Sequence, residues 1–136
     1  MKIMYKERAT ATGGRNGQAR LDNGSLELTT TMPGSGRAGV NPEQLFAMGY
    51  AACFDNAVLM IARQKRLPLT SSQTAVEVGL GQLDSGGYGL DIDLHVTLQG
   101  LTPEQGQELV HAAHAVCPYS NAVRGNVDVR LHIVVA

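Results

Sequence analysis

Two cysteines, Cys53 and Cys117, are the side chains of this sequence with the most chemistry to offer. Cys53 lies in NPEQLFAMGYAACF, Asn41 to Phe54, a small-residue and mostly apolar segment. Its one carboxylate in that segment, Glu43, stands ten residues earlier. A free cysteine often behaves as a small buried hydrophobe, and that reading is open for both. A peroxide-reducing thiol needs more. It needs a positive charge that favours the thiolate, a donor for the peroxide oxygens, and a second thiol that traps the sulfenic acid before it over-oxidises. Cys117 supplies a second thiol at the end of a helical stretch, where Pro118 follows. In a reducing compartment such a pair is more often catalytic, metal-binding or buried than a structural disulfide.

The histidines make a weaker case. His111, His114 and Cys117 recur every three residues in HAAHAVC. Each such step drifts about 60° around a helix, so three ligands converge poorly on zinc. No metal site is expected there, only solvated helix histidines. His95 and His132 fall at polar strand positions and are expected at the surface. GRNG and GSGRAG are glycine-rich but lack the lysine and hydroxyl of a phosphate-binding loop. Ser120 has no nucleophile-elbow context.

These residues must be positioned by elements that the periodicity lays out. Tyr5 to Thr12, Gln18 to Leu21 and Ser25 to Thr31 read as a three-strand meander, turned at Gly13–Gly17 and at Asp22-Asn23-Gly24. Asn41 is a good N-cap, Pro42 suits the first helical position, and Glu43 complements the helix dipole. The helical pattern runs to about Arg66, with Pro68 as the stop. Thr74 to Leu83 and Leu90 to Leu98 alternate as a second hairpin. Thr102 and Gln105 make a capping box for a second helix, and Val127 to Val135 is the last strand. The order β-β-β-α-β-β-α-β predicts an α+β fold, a mainly antiparallel sheet covered by helices, in one domain over residues 1–136. The first helix is apolar over most of its circumference, so a homodimer is expected to bury it.

Composition narrows the function. The chain has 136 residues, 43% hydrophobic, with net charge −1 and no Trp. No basic footprint or stacking platform points to nucleic acid, and no basic amphipathic stretch points to a membrane surface. Met1 to Thr12 carries no apolar signal core, and no stretch is read as long enough to span a bilayer, so a cytoplasmic protein is expected.

Three stretches sharpen the thiol reading. ATATGGRNG, NPEQLFAMGYAACF and CPYSNAVRGNVDV occur in this order and are spread along the chain from Ala9 to Val129. They closely resemble the motifs of the organic hydroperoxide resistance proteins, the Ohr branch of the Ohr/OsmC superfamily. The resemblance implies an OsmC-like fold as an intertwined homodimer. It implies that Cys53 is the peroxidatic nucleophile and Cys117 the resolving cysteine. Arg15 then matches the family's catalytic arginine and Glu43 the glutamate paired with it. The implied reaction is thiol-dependent reduction of alkyl or fatty-acid hydroperoxides to alcohols, without a bound cofactor. An external dithiol, a lipoyl group on a carrier protein, would recycle the disulfide. Phe46, Tyr50, Phe54 and Met60 either line the substrate pocket or are core packing. Competing readings are the osmotically inducible sister branch, a redox sensor without turnover, and a structural dimer with inert thiols.

Helix arithmetic adds one inference. Ten residues of straight helix span about 15 Å, so Glu43 and Cys53 of one chain cannot share a site unless the helix breaks. Antiparallel packing of two such helices near Met48 and Gly49 would bring Glu43 of one chain to Cys53 of the other. Gly49 and Ala52 would permit the close approach.

Overall fold

A computed structural model describes all residues, Met1–Ala136. The chain forms two compact units, Met1–Leu45 and Phe46–Ala136. The first is an antiparallel meander of β1 (Ala9–Thr12), β2 (Gln18–Leu21) and β3 (Glu27–Thr29). The alternation predicts a first strand from Tyr5, yet β1 begins at Ala9. Its partner explains the late start. Ala9 pairs with Leu21, the last residue of β2, and the chain then turns. Only the Arg8 carbonyl still receives a bond, from the Asp22 N–H at 2.9 Å. The third strand is likewise shorter than its pattern, and Thr30 continues it as a bridge to Val40.

α1 (Pro42–Gln64) starts in the first unit and runs unbroken through the second. Asn41 and Gln44 cap it reciprocally: the Gln44 N–H donates to Asn41 Oδ1 at 2.9 Å, and the Asn41 N–H to Gln44 Oε1 at 2.8 Å. It ends before Pro68. Arg66 turns left-handed, φ 53°, while Leu67 N–H reaches the Ala62 carbonyl and Arg66 N–H the Arg63 carbonyl. That is a Schellman termination, here with an arginine where glycine is usual.

In the second unit β4 (Ser71–Gln82) and β5 (Tyr88–Gln99) form the expected hairpin. α2 (Pro103–Val116) and α3 (Pro118–Val123) then cross over to β6 (Val129–Val135), which lies parallel to β5. Ile92, Leu94, Val96 and Leu98 point from β5 into the core, as their alternation with polar residues requires. α3 is absent from the sequence reading, which takes Pro118 only as a helix stop. Proline at the first helical position is equally a start, because its missing N–H has no partner to lose there.

α1 is long and apolar enough to cross a bilayer by length and composition, against the sequence expectation. Tyr50, Phe54, Val58 and Ile61 instead bury one side of it in the core of the second unit. One ridge at four-residue spacing, Gln44, Met48, Ala52, Asn56 and Met60, is exposed in the single chain. On the outer face of the second sheet His95 and His132 are paired across the strands and stack at 4.6 Å. His132 Nε2 lies 2.7 Å from Asp93, which also pairs with Arg130.

Candidate active site

Each unit contributes one arrangement. In the first, Arg15 sits in a 3-10 turn, Gly14–Asn16, between β1 and β2. Thr30, 3% exposed, holds that turn: its hydroxyl accepts the Gly17 N–H and donates to the Gly14 carbonyl, both at 2.8 Å. Gly17 must be glycine, since a Cβ there would stand 1.9 Å from the Thr12 carbonyl oxygen. The turn presents the Arg15 guanidinium end-on to Glu43 in the first turn of α1. Nη1 donates to Oε2 at 2.7 Å and Nη2 to Oε1 at 2.6 Å. This planar fork fixes the guanidinium and leaves other N–H groups free. The Arg15 hydrogen bonds hold the Glu43 carboxyl below the ordinary carboxylate value, and Glu43 raises Arg15 in turn.

In the second unit the two thiols meet. Cys117 Sγ donates to Cys53 Sγ at 3.6 Å, and both are free. Cys53 projects from α1 and is half-buried, whereas Cys117 is 0% exposed. Cys117 is at once the C-cap of α2 and the residue before the first of α3. Its N–H bonds the Ala113 carbonyl, and its carbonyl accepts the Asn121 N–H, each at 2.9 Å. Burial pushes the Cys53 thiol up, the Tyr119 backbone N–H pulls it down, and the neighbouring Cys117 raises it again. Within this unit Cys53 therefore favours the thiol, and a cation is needed to favour the thiolate.

Aromatic side chains surround the pair. Tyr50 and Phe54 are 0% exposed, so they pack the core beside the thiols and offer no surface to a substrate in this conformation. Phe46 is half-buried and meets Tyr50 edge-on, with ring centroids 6.0 Å apart. Met60 is exposed on the ridge of α1. Tyr119 leans over Gly49, where an added Cβ would come within 3.1 Å of the tyrosine hydroxyl. The small residue at 49 thus admits Tyr119 of its own chain.

Three further residues were not legible as functional. Ser120, 0% exposed, lies 2.7 Å from the Tyr50 hydroxyl and 2.8 Å from His114 Nδ1. The sequence reading leaves His114 solvated; it is in fact half-buried. Burial lowers its pKa, with the charge of Arg124 and then His111 adding to the effect. Thr30 gave no signal beyond an ordinary strand threonine.

The OsmC-like protein family model matches residues 34–132. The organic hydroperoxide resistance protein of Xanthomonas axonopodis pv. citri is 45% identical over 135 residues, covering 96% of this chain and 94% of that one. The chain belongs to the OsmC-like family, on its organic hydroperoxide resistance branch. OhrB of Bacillus subtilis is 42% identical, covering 96% of this chain and 98% of its own. Its crystal structure superposes with a TM-score of 0.91 over 96% of this chain and 99% of that one. An organic hydroperoxide resistance protein from Elizabethkingia anophelis superposes at 0.94, with 45% identity and all of both chains covered. The α+β architecture is thus that of the OsmC-like family. The segment matched by its model holds Glu43, Cys53 and Cys117 and begins after Arg15.

Proposed function

We propose that the protein is a thiol-dependent peroxidase that reduces organic hydroperoxides to alcohols. The observation that carries this reading is the approach of two free thiols, Cys53 and Cys117, to 3.6 Å in a chain of this family. Their unequal burial supports unequal roles. The half-buried Cys53 is open to attack a peroxide, and the fully buried Cys117 is shielded from it. The Cys53 thiolate attacks one peroxide oxygen, the O–O bond breaks, and the alkoxide takes a proton and leaves as alcohol. Cys53 becomes a sulfenic acid. The Cys117 thiolate then attacks that sulfur, an S–S bond forms, and hydroxide leaves as water. Two thiolates of an external dithiol, taken to be lipoyl, reduce the disulfide by exchange. Phe46 and the exposed edge of Tyr119 form an apolar approach suited to an alkyl chain.

Arg15 supplies the positive charge, with Glu43 fixing its orientation. Ten residues of straight helix span about 15 Å, which argues against Glu43 and Cys53 of one chain sharing a site. A homodimer that packs the exposed ridge of α1 resolves this, the partner subunit's Arg15 and the partner's Glu43 completing each site. The cytoplasm is the compartment proposed, since the cycle starts from reduced thiols.

Steady turnover of cumene hydroperoxide with dihydrolipoamide tests the function. Sustained consumption is expected. A single burst that stops after one equivalent would make the protein a redox sensor, and no consumption would make its thiols inert.

A further inference from the structure

Cys117 is the pivot between two helices, and no side chain of its own fixes the angle between them. Its backbone is shared, with the N–H bonded into α2 and the carbonyl into α3. Pro118 confines Cys117 to an extended backbone but supplies no N–H to bond across the joint. The direction of the buried sulfur is therefore set by how α3 is seated on α2 and on α1, the helix that carries Cys53.

One buried hydroxyl makes that seat. Ser120 lies three residues beyond Cys117, in the first turn of α3. It meets Tyr50 of α1 at 2.7 Å and His114 of α2 at 2.8 Å. Tyr50 precedes Cys53 by three residues and His114 precedes Cys117 by three, so each anchor lies one helical turn from a thiol. The chain of bonds is complete in one sense: Tyr50 donates to Ser120, and Ser120 donates to the Nδ1 of a neutral His114. Tyr50 and Ser120 are both 0% exposed, so their bond is shielded from water. Arg124, at the far end of α3, adds a bond to the His114 carbonyl at 2.6 Å.

We infer that Ser120 is a positioning residue for the second thiol: by engaging Tyr50 and His114 together, it holds Cys117 against Cys53 in readiness for the disulfide. This rests on the reading of Cys117 as the partner thiol of Cys53. The sulfurs must close from 3.6 Å to about 2 Å to bond, and a loosely seated α3 lowers the fraction of time in which they can.

The test is the dithiol–disulfide equilibrium of the whole protein in a buffer of reduced and oxidised dithiothreitol, read by mass spectrometry of alkylated samples. Ser120→Ala is expected to shift the equilibrium toward the dithiol by about tenfold, equivalent to about 30 mV. His114→Leu should do the same. His114→Asn, whose amide oxygen can accept from Ser120 in place of Nδ1, should restore the wild-type ratio, which a merely space-filling role does not predict. If Ser120→Ala does not fold, His114→Leu and Tyr50→Phe carry the comparison. Wild-type ratios in folded Ser120→Ala and His114→Leu would overturn the inference, and so would a wild-type protein that forms no Cys53–Cys117 disulfide. A wild-type protein that forms the disulfide but consumes no hydroperoxide would end the peroxidase reading while leaving this test intact.

Discussion

The sulfur of Cys117 lies 3.6 Å from that of Cys53, yet the first is fully buried and the second is not. In the proposed cycle a hydroperoxide meets Cys53 first. Cys53→Ser is therefore expected to abolish hydroperoxide consumption. Cys117→Ser should consume one equivalent to form the sulfenic acid, form no intrachain disulfide, and take up a second equivalent of hydroperoxide on the way to the sulfinic acid. Peroxide titration with intact-mass readout separates the two variants, and equal behaviour of both would remove the division of roles.

Arg15 meets Glu43 as a planar fork, which a lysine cannot reproduce. Arg15→Lys is expected to lose roughly 100-fold in kcat/KM for cumene hydroperoxide, the scale of losing a transition-state donor. Burial pushes the Cys53 thiol up; with the partner subunit's Arg15 facing that sulfur as proposed, Arg15→Ala should raise its pKa further. The ultraviolet absorbance of the thiolate, followed against pH, reads this directly. An unmoved titration in Arg15→Ala would show that the guanidinium does not act on the sulfur.

The same pair has a signed pH dependence. Arg15 holds the folded-state Glu43 carboxyl below its unfolded value. Its contribution to stability is therefore complete above the ordinary carboxylate pKa of about 4.3, and it is lost as pH falls through the lower folded value. Carbon-13 labelling of Glu43 should show titration below the ordinary range in wild type and a return toward it in Arg15→Ala. Titration at the ordinary value in wild type would mean the fork does not persist in solution.

Thr30 carries the Arg15 turn through two bonds of one hydroxyl. Thr30→Val keeps the shape and removes the hydroxyl, leaving Gly17 N–H and Gly14 C=O without that partner. A loss of about 1–2 kcal/mol in urea unfolding is expected. kcat/KM should fall while the alkylation rate of the isolated Cys53 thiol by iodoacetamide at high pH stays near wild type. Unchanged kcat/KM would show that the turn keeps Arg15 in place unaided.

Much of this was legible in the sequence, and the misses have physical causes. Caps at Asn41 and Thr102 mark helix starts because their side chains answer free backbone N–H groups, and both caps form. The alternation from Leu90 to Leu98 marks β5 because one sheet face is buried. Tyr5 to Arg8 also alternates, but a strand needs a partner, and β2 ends opposite Ala9. α3 is six residues long, too short for periodicity to show. Glu43 and Arg15 stood out through motif resemblance. The bond from Tyr50 to Ser120 joins residues 70 apart, and no local pattern encodes it.

A shared site across two chains makes a prediction of its own. Arg15→Ala and Cys53→Ser chains, each inactive alone, should recover activity when co-expressed. A mixed dimer would hold one intact site, so random pairing gives about a quarter of wild-type turnover. No recovery from a verified mixed dimer would place Arg15 and Cys53 of one site on one chain.

The most direct measurement is the intact mass of the reduced protein after one equivalent of cumene hydroperoxide, with peptide mapping of the product. Peroxidase chemistry at the thiol pair predicts the loss of two hydrogens, with Cys53 joined to Cys117, and one equivalent of cumyl alcohol released. Recovery of an unchanged mass with the hydroperoxide intact, or oxygen added at residues other than Cys53, would contradict it.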